Sequence, residues 1–412
     1  MSEQKKLLPK LRFPEFREAE GWEEKPLGEF MTESRMPGSK GNVAKKITVK
    51  LWGNGVFEKN DAIQGSINTQ YFRRKAGQFI YSKLDFLNQA FGIIPTSLDD
   101  FESTVDLPCF DFADGLNPVF LLEYVKRKDF YEKLGETADG SRKARRIHAE
   151  TFLSFPIALP SPVEQQKITD CLSSLDELIA AQARKVDALK AHKRGLMQQL
   201  FPGEGETQPR LRFPEFQDAE KWEIRTIGDM FSLINGCAFR PEDWKPNGTP
   251  IIRIQNLNDP SAEFNYSQAP VSERNRVESG DLLFAWSGTL GSSFGARVWT
   301  GPPGVLNQHI FKVLMDEQRI TLPFALLVLA RVEEDIAEKS HGFKASFVHV
   351  KKSDLVKVEL PLPALHEQQR IAACLSSLDA LITAATQELD TLKTHKKGLM
   401  QQLFPSAGAV AA

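Results

Sequence analysis

The sequence predicts an α+β protein built twice over. Two similar globular domains of mixed helix and strand are each followed by one long helix. The preferred arrangement pairs the helices antiparallel as an intramolecular coiled coil about a pseudo-twofold axis, with a parallel homodimeric coil as the alternative. Three observations carry this prediction. Long blocks of sequence recur at a nearly constant interval; each recurrence contains a stretch of about 39 residues with alternating four- and three-residue apolar spacing; short β-like runs broken by turn clusters fill the remainder.

The repeat comes first because it sets the architecture. The opening LRFPEF at Leu11–Phe16, with Trp22 and Glu23 beyond it, returns at Leu211–Phe216 with Trp222 and Glu223, a shift of 200. EQQKI at Glu164–Ile168 returns as EQQRI at Glu367–Ile371, CLSSLD at Cys171–Asp176 as Cys374–Asp379, and GLMQQLFP at Gly195–Pro202 as Gly398–Pro405, all at a shift of 203. Between these blocks the halves diverge, yet Gly77 with Gly280 and Phe91-Gly92 with Phe294-Gly295 keep the 203 spacing. One scaffold carrying two different surfaces suits two related recognition tasks better than a single active site. Duplication without divided labour is the simpler alternative.

The domains read as residues 1–160 and 203–363, the helices as 161–202 and 364–405, with a tail at 406–412. In the first domain, runs at Ile47–Leu51, Gln78–Tyr81, Phe91–Ile94 and Leu107–Phe112 predict strands, and Asn117 to Leu134 predicts a helix. The second domain offers strands at Ile251–Ile254, Asp281–Ala285 and Gln308–Leu314, and an apolar helix near Leu322–Ile336.

In the first long helix the seam is Ile168, Leu172, Leu175, Ile179, Val186, Leu189 and Leu196, continued by Leu200. In the second it is Ile371, Leu375, Leu378, Ile382, Leu389, Leu392 and Leu399, continued by Leu403. Gln182 and Lys193 interrupt the first seam, Ala385 and Lys396 the second. Ser161 to Glu164 predicts a capping box with proline at the first helical position. Ala364 at the equivalent cap predicts a second helix that frays more easily. Gly195 and Gly398 inside helix imply either a close backbone approach or a local kink. The basic clusters Lys190–Arg194 and Lys393–Lys397 are either solvated faces or contacts to protein or phosphate.

Composition excludes several classes. At 41% hydrophobic and 26% charged residues the chain is neither disordered nor fibrous. A net charge of −2 excludes a uniformly basic DNA binder, so any nucleic-acid face is a local patch. Cys109, Cys171, Cys237 and Cys374 are scattered without metal-ligand spacing, so no metal is expected. No apolar run long enough to span a bilayer and no signal-like opening occur, which predicts a soluble, cytoplasmic chain without membrane contact.

No catalytic constellation emerges. Asn117-Pro118-Val119-Phe120 resembles the Asn-Pro-Pro-Phe/Tyr loop of amino-methyltransferases, but its third residue is Val and no glycine-rich cofactor loop precedes it. No P-loop is present. What remains is binding. Ser141, Arg142, Lys143, Arg145, Arg146 and His148 form a donor-rich stretch before the last strand of the first domain; Lys344, Ser346, His349, Lys351 and Lys352 form its counterpart in the second. Guanidinium groups match phosphates and guanine edges, so both stretches are candidate DNA-facing edges, with an exposed charged turn as the plain alternative. Lys83, Ser287 and Thr289 at candidate loop tips, and Asn307 and Gln308, are further candidates for base contacts; the last two equally suit local backbone bonding.

Taken together, the LRFPEF…W openings, EQQ-K/R-I helix starts and GLMQQLFP endings resemble the specificity subunit of type I restriction–modification systems over essentially the whole chain. GDLLFAWSG at Gly280–Gly288 and GVLNQHIF at Gly304–Phe311 are similar to segments of the family's target recognition domains. The resemblance implies a chain without catalysis that binds double-stranded DNA. Each target recognition domain then reads one half of a split site, and the helices set the gap. It implies two modification subunits that use S-adenosylmethionine to methylate adenine, and restriction subunits that use ATP and Mg, with no cofactor held by this chain. Particular base contacts do not transfer. A self-contained DNA methyltransferase or restriction enzyme, and a coiled-coil scaffold unrelated to DNA, are the competing readings.

Overall fold

In a computed structural model the described residues are 7–59, 66–135, 146–203, 205–340 and 347–405. The fold is mixed helix and sheet. The chain divides into two compact units, Met1–Arg184 with Thr386–Ala412, and Lys185–Ala385. Each unit therefore holds one globular domain, the start of the long helix that follows it, and the end of the other long helix.

In the first unit β1 (Glu23–Pro26) pairs antiparallel with β6 (Pro156–Leu159). The main sheet has four antiparallel strands in the order β2 (Met31–Ser34), β5 (Cys109–Phe112), β3 (Phe79–Tyr81) and β4 (Phe91–Ile93). Alternation across the strand sends Phe79 and Tyr81 into the main core and Ile80 into a second cluster with Val56, Ile94 and Cys109. Both faces are covered, so the whole strand is apolar. The main core is aromatic: Phe79 stacks on Phe152 at 5.5 Å between ring centroids. Burial in the second cluster pushes the Cys109 thiol up to about 12.

The second unit repeats this frame. β7 (Glu223–Thr226) pairs with β14 (Glu359–Leu362), and the sheet order is β8 (Phe231–Asn235), β12 (Ile310–Met315), β9 (Leu282–Ala285), β11 (Gly295–Val298). Its registers are those of the first sheet. Phe110 opposite Glu33 becomes Val313 opposite Leu233, a shift of 203 on one strand and 200 on the other. Cys109 opposite Ile80 becomes Lys312 opposite Leu283, 203 on both. The three extra residues of the second copy therefore enter between the first and second strands of its main sheet. This unit also shows β10 (Ser287–Thr289) paired with β13 (Phe347–His349).

The expected helix at 117–134 is two helices, α1 (Pro118–Val125) and α2 (Lys128–Gly135). The break lets Arg127 lie over the rings of Tyr124 and Phe404 at 4.9 and 5.2 Å. The apolar helix of the second domain is α4 (Leu322–Ser340). The long helices α3 (Pro162–Leu200) and α5 (Leu365–Leu403) have 39 residues each. Among the described residues no helix is long and apolar enough to cross a membrane.

Within each unit the two helix segments run antiparallel. In the first, Gln182 donates to Glu388 at 2.8 Å and Lys396 to both Asp176 oxygens at 2.7 and 2.8 Å. In the second, Lys193 bonds both Asp379 oxygens at 2.6 and 2.8 Å. The seam-breaking lysines thus pair with the aspartates of the two CLSSLD blocks at equivalent places. Ile168, Leu172, Val186, Ile371, Leu375, Leu378 and Leu389 are buried; Leu175, Ile179, Leu189, Leu196, Ile382, Leu392 and Leu399 are half-buried. The helix starts depart from a pure coiled-coil seam. Ile168 and Leu172 lie in the first domain's core, and Ile371, Leu375 and Leu378 in the second's, because each helix begins against its own domain.

Candidate nucleic-acid interface

The repeated sequence blocks meet at the helix ends. Arg12 grips Glu164 at the start of α3 through Nε and Nη2 at 2.8 and 2.7 Å, and donates to the carbonyls of Ala19 and Glu20. Trp22 Nε1 adds a third donor to Glu164 at 3.3 Å. In the second unit Arg212 grips Glu367 at 2.9 and 2.6 Å and donates to the carbonyls of Ala219 and Glu220. The next residue of each EQQ block is also committed. Gln165 donates to the carbonyls of Gly115 and Pro160 and accepts from Asn117 N; Gln368 donates to those of Arg319 and Pro363 and accepts from Thr321 N.

These contacts correct the expected capping box. Ser161 Oγ does accept from Glu164 N at 3.4 Å, but the Glu164 carboxylate is held by Arg12, whose charge outcompetes a return to the helix start. α5 begins beside Ala364, which offers no capping side chain, and Arg212 holds Glu367 there as Arg12 holds Glu164 in α3.

The helix ends are held by aromatic boxes. Phe404 packs on Trp22, Phe120 and Tyr124; Phe201 packs on Trp222 and Phe324. Arg127 and Arg331 cover these phenylalanines and donate to the carbonyls of Pro405 and Pro202. Neither arginine was flagged by the sequence, since neither falls in a repeated block. Asn117 is the side-chain cap of α1, accepting from Val119 N and Phe120 N, so its methyltransferase-like string is a helix start. Gly195 and Gly398 have open space where a Cβ would sit, so among the described residues no backbone of this chain approaches them closely.

Away from the helices, each domain presents a rim where the candidate contact residues gather. Lys83 donates its N–H to Asp106 O at 2.9 Å and accepts from Ile147 N at 3.1 Å. Trp286 donates to His309 O at 3.2 Å and accepts from Val350 N at 3.0 Å. These are the same positions at a shift of 203, held by the same backbone bonds. Arg146 and His148 are exposed at the first rim. Ser141, Arg142, Lys143 and Arg145 lie outside the described residues, as do Lys344 and Ser346.

At the second rim His349, Lys351 and Gln308 are exposed and Thr289 and Asn307 half-buried. Two expectations change here, at Ser287 and Lys352, and Asn307 takes up the local bonding that was one of its two readings. Ser287 is not at a loop tip but buried in the β10–β13 ladder opposite His349. Lys352 Nζ donates to Leu233 O at 2.6 Å, in the middle of β8. Asn307 Oδ1 accepts from Gln308 N, a local bond, while its side chain lines a cavity of about 260 Å³ with Arg253, Gln255 and His309.

Trp286 is the centre of this rim. Its ring meets His349 at 4.7 Å, His309 at 5.2 Å and Phe311 at 5.6 Å. Among the described residues, Trp286 Nε1 and His309 Nδ1 are buried without a hydrogen-bond partner. Burial, then the neighbouring His349, holds the His309 imidazole below its ordinary range. Sequence reading passed over Trp286 and Asp106 as contact residues, although the 203 spacing from Lys83 leads directly to Trp286, and it reached His309 only as part of the Asn307-Gln308-His309 run.

Fold and site together define a duplicated α+β scaffold with shared helix anchors and two unlike rims. Residues 219–394 match the family model of the type I restriction modification DNA specificity domain. The MjaVIII type I restriction enzyme specificity subunit of Methanocaldococcus jannaschii is 23% identical over 304 residues, covering 70% of this chain and 70% of that protein. The putative MjaX specificity subunit of the same organism is 25% identical, covering 69% of this chain and 66% of that protein. Among solved structures, the type I restriction–modification S subunit from M. genitalium superposes with a TM-score of 0.54 at 15% identity over 97% of this chain and 100% of that one. A chain from a type I R-M system solved for its complex assembly and conformational transition gives 0.60 at 17% identity, over 93% and 98%. Residues 219–394 thus match a type I DNA specificity domain, and the chain is similar over about 70% of its length to type I restriction enzyme specificity subunits.

Proposed function

We propose that this chain is the non-catalytic sequence reader of a type I restriction–modification enzyme. Each domain reads one half of a bipartite double-stranded DNA site through its rim. α3 and α5, paired as an antiparallel intramolecular coiled coil with pseudo-twofold symmetry, set the gap between the halves. The observation that carries this reading is the doubled frame: equal strand registers and helix anchors, but rims of different chemistry. A protein with one active site has no use for that arrangement, whereas a split, asymmetric site needs it.

The helices also dock two modification subunits. Leu178 and Leu381, equivalent at 203, are exposed leucines on α3 and α5 and support such a contact. The modification subunits bring S-adenosylmethionine for adenine methylation, and restriction subunits bring ATP and Mg chemistry; this chain binds no cofactor itself and works in the cytoplasm.

The test lengthens the spacer. Seven residues inserted at equivalent places in both long helices keep the seam in phase and add ~10 Å. At ~3.4 Å per base pair the preferred gap should grow by up to about three base pairs. Selecting methylated sites from a spacing library with the assembled modification complex measures it. An unchanged gap rejects the spacer role.

A further inference from the structure

We infer that three equivalent positions on each rim select the base pair each domain accepts: Lys83, Asp106 and Arg146 choose G·C, and Trp286, His309 and His349 choose A·T. This rests on the DNA-reading function proposed above and deepens it.

The frame around the two trios is the same. Residue 83 and residue 286 each donate to the residue 23 positions on and accept from the one 64 positions on, Asp106 and Ile147 in the first domain, His309 and Val350 in the second. Arg146 and His349 precede those last donors by one residue. Identical backbone bonding places the three side chains of each set at corresponding points, and only their chemistry differs. The first set is two cations and a carboxylate. The second is two imidazoles against an indole.

Each set matches a different base-pair edge in the major groove. Guanine offers acceptors O6 and N7, and cytosine the N4 donor. Arg146 supplies a forked donor for the first, and Asp106 an acceptor for the second. Adenine offers an acceptor, N7, beside a donor, N6. The two nitrogens of an imidazole point apart, so one ring meets either N7 or N6, and the pair His309 and His349 is needed to cover both. Burial and the neighbouring His349 hold the His309 imidazole below its ordinary value, which favours the uncharged ring, and Gln308 stands beside it within 3.3 Å. The buried, unpartnered Trp286 Nε1 and His309 Nδ1 are unusual for a purely structural cluster, where buried polar atoms find partners.

The full chain, assembled with its modification subunits, is presented with a randomised DNA library, and methylated sites are mapped. Arg146→Ala and His349→Ala alter exposed side chains; Asp106→Asn and His309→Asn keep size while changing donor pattern. Thermal unfolding of each assembled variant checks the fold. Arg146→Ala should relax discrimination at one G·C pair by about tenfold or more, leaving the other half-site as it was. His349→Ala should relax one A·T pair in the other half only. Unchanged discrimination in both halves overturns the assignment. So does a uniform drop across all sequences, which marks a phosphate contact rather than a base contact. A wild-type complex without any preferred sequence would instead overturn the DNA-reading function itself.

Discussion

The two halves of this chain agree where helices dock and disagree where the sheet rims turn outward. Arg12 with Glu164 is matched by Arg212 with Glu367, and Phe404 in its aromatic box by Phe201 in its own. Lys83, Asp106 and Arg146 have become Trp286, His309 and His349. The difference is physical. An anchoring arginine cannot drift without stranding a buried carboxylate, whereas the rim side chains, half-buried or exposed, hold no buried carboxylate and can change at less cost to stability.

The largest effect expected comes from cutting the anchors. Glu164 and Glu367 are 1% and 2% exposed, so Arg12→Ala or Arg212→Ala leaves a buried charge and should cost about 3–5 kcal/mol. The halves should differ. Trp22 still donates to Glu164, whereas the Trp222 indole N–H makes no such bond. Arg212→Ala should therefore be the more damaging in thermal or denaturant unfolding. Equal losses would show that the tryptophan bond contributes nothing.

A smaller effect separates the seam lysines. Among the described residues Lys193 meets Asp379 alone, while Lys396 meets Asp176 and lies 3.1 Å from Glu123, a buried carboxylate of α1 that Lys126 also contacts. Burial pushes the Glu123 carboxyl up, but Lys126 and Lys396 outweigh it and hold it below its ordinary value. Lys396→Ala should cost about 1–3 kcal/mol, and Lys193→Ala less than about 1 kcal/mol. The pH dependence has a definite sign. A carboxyl lowered on folding contributes stability above its unfolded value of 4.5 and loses it as pH falls through the folded value. The gap between wild type and Lys396→Ala should thus narrow below about pH 4.5. A gap independent of pH would remove Glu123 from the account.

Much of this frame was legible in the sequence because it is repetitive. The 203 shift gave the duplication, and the four-three spacing gave the long helices and their apolar side. Pairwise chemistry between distant blocks was not legible. Glu164 three residues after Ser161 looks like a local cap; only the folded chain brings Arg12 to it across 152 residues. The contact of Arg127 with Phe404 likewise joins residues far apart in sequence, since Phe404 arrives from the far end of the chain. At the rims, charge drew attention to Arg146 and Lys352 alike. Yet Lys352 is spent on a strand carbonyl, and Trp286, an apolar residue between strands, organises the surface.

The smallest effect expected is a gain. Gly195 and Gly398 sit well inside α3 and α5, where glycine is about 1 kcal/mol worse than alanine. Neither has a positive φ, and no atom lies within 4 Å of where a Cβ would stand. Alanine therefore fits both positions without strain and reduces the freedom of the unfolded chain. Gly195→Ala and Gly398→Ala should each raise stability by up to about 1 kcal/mol, read as a higher midpoint of unfolding. Because the two glycines are equivalent, their gains should match in this chain. A gain at one position and a loss at the other, measured with the modification subunits bound, would mark the losing helix as the one that a partner's backbone approaches.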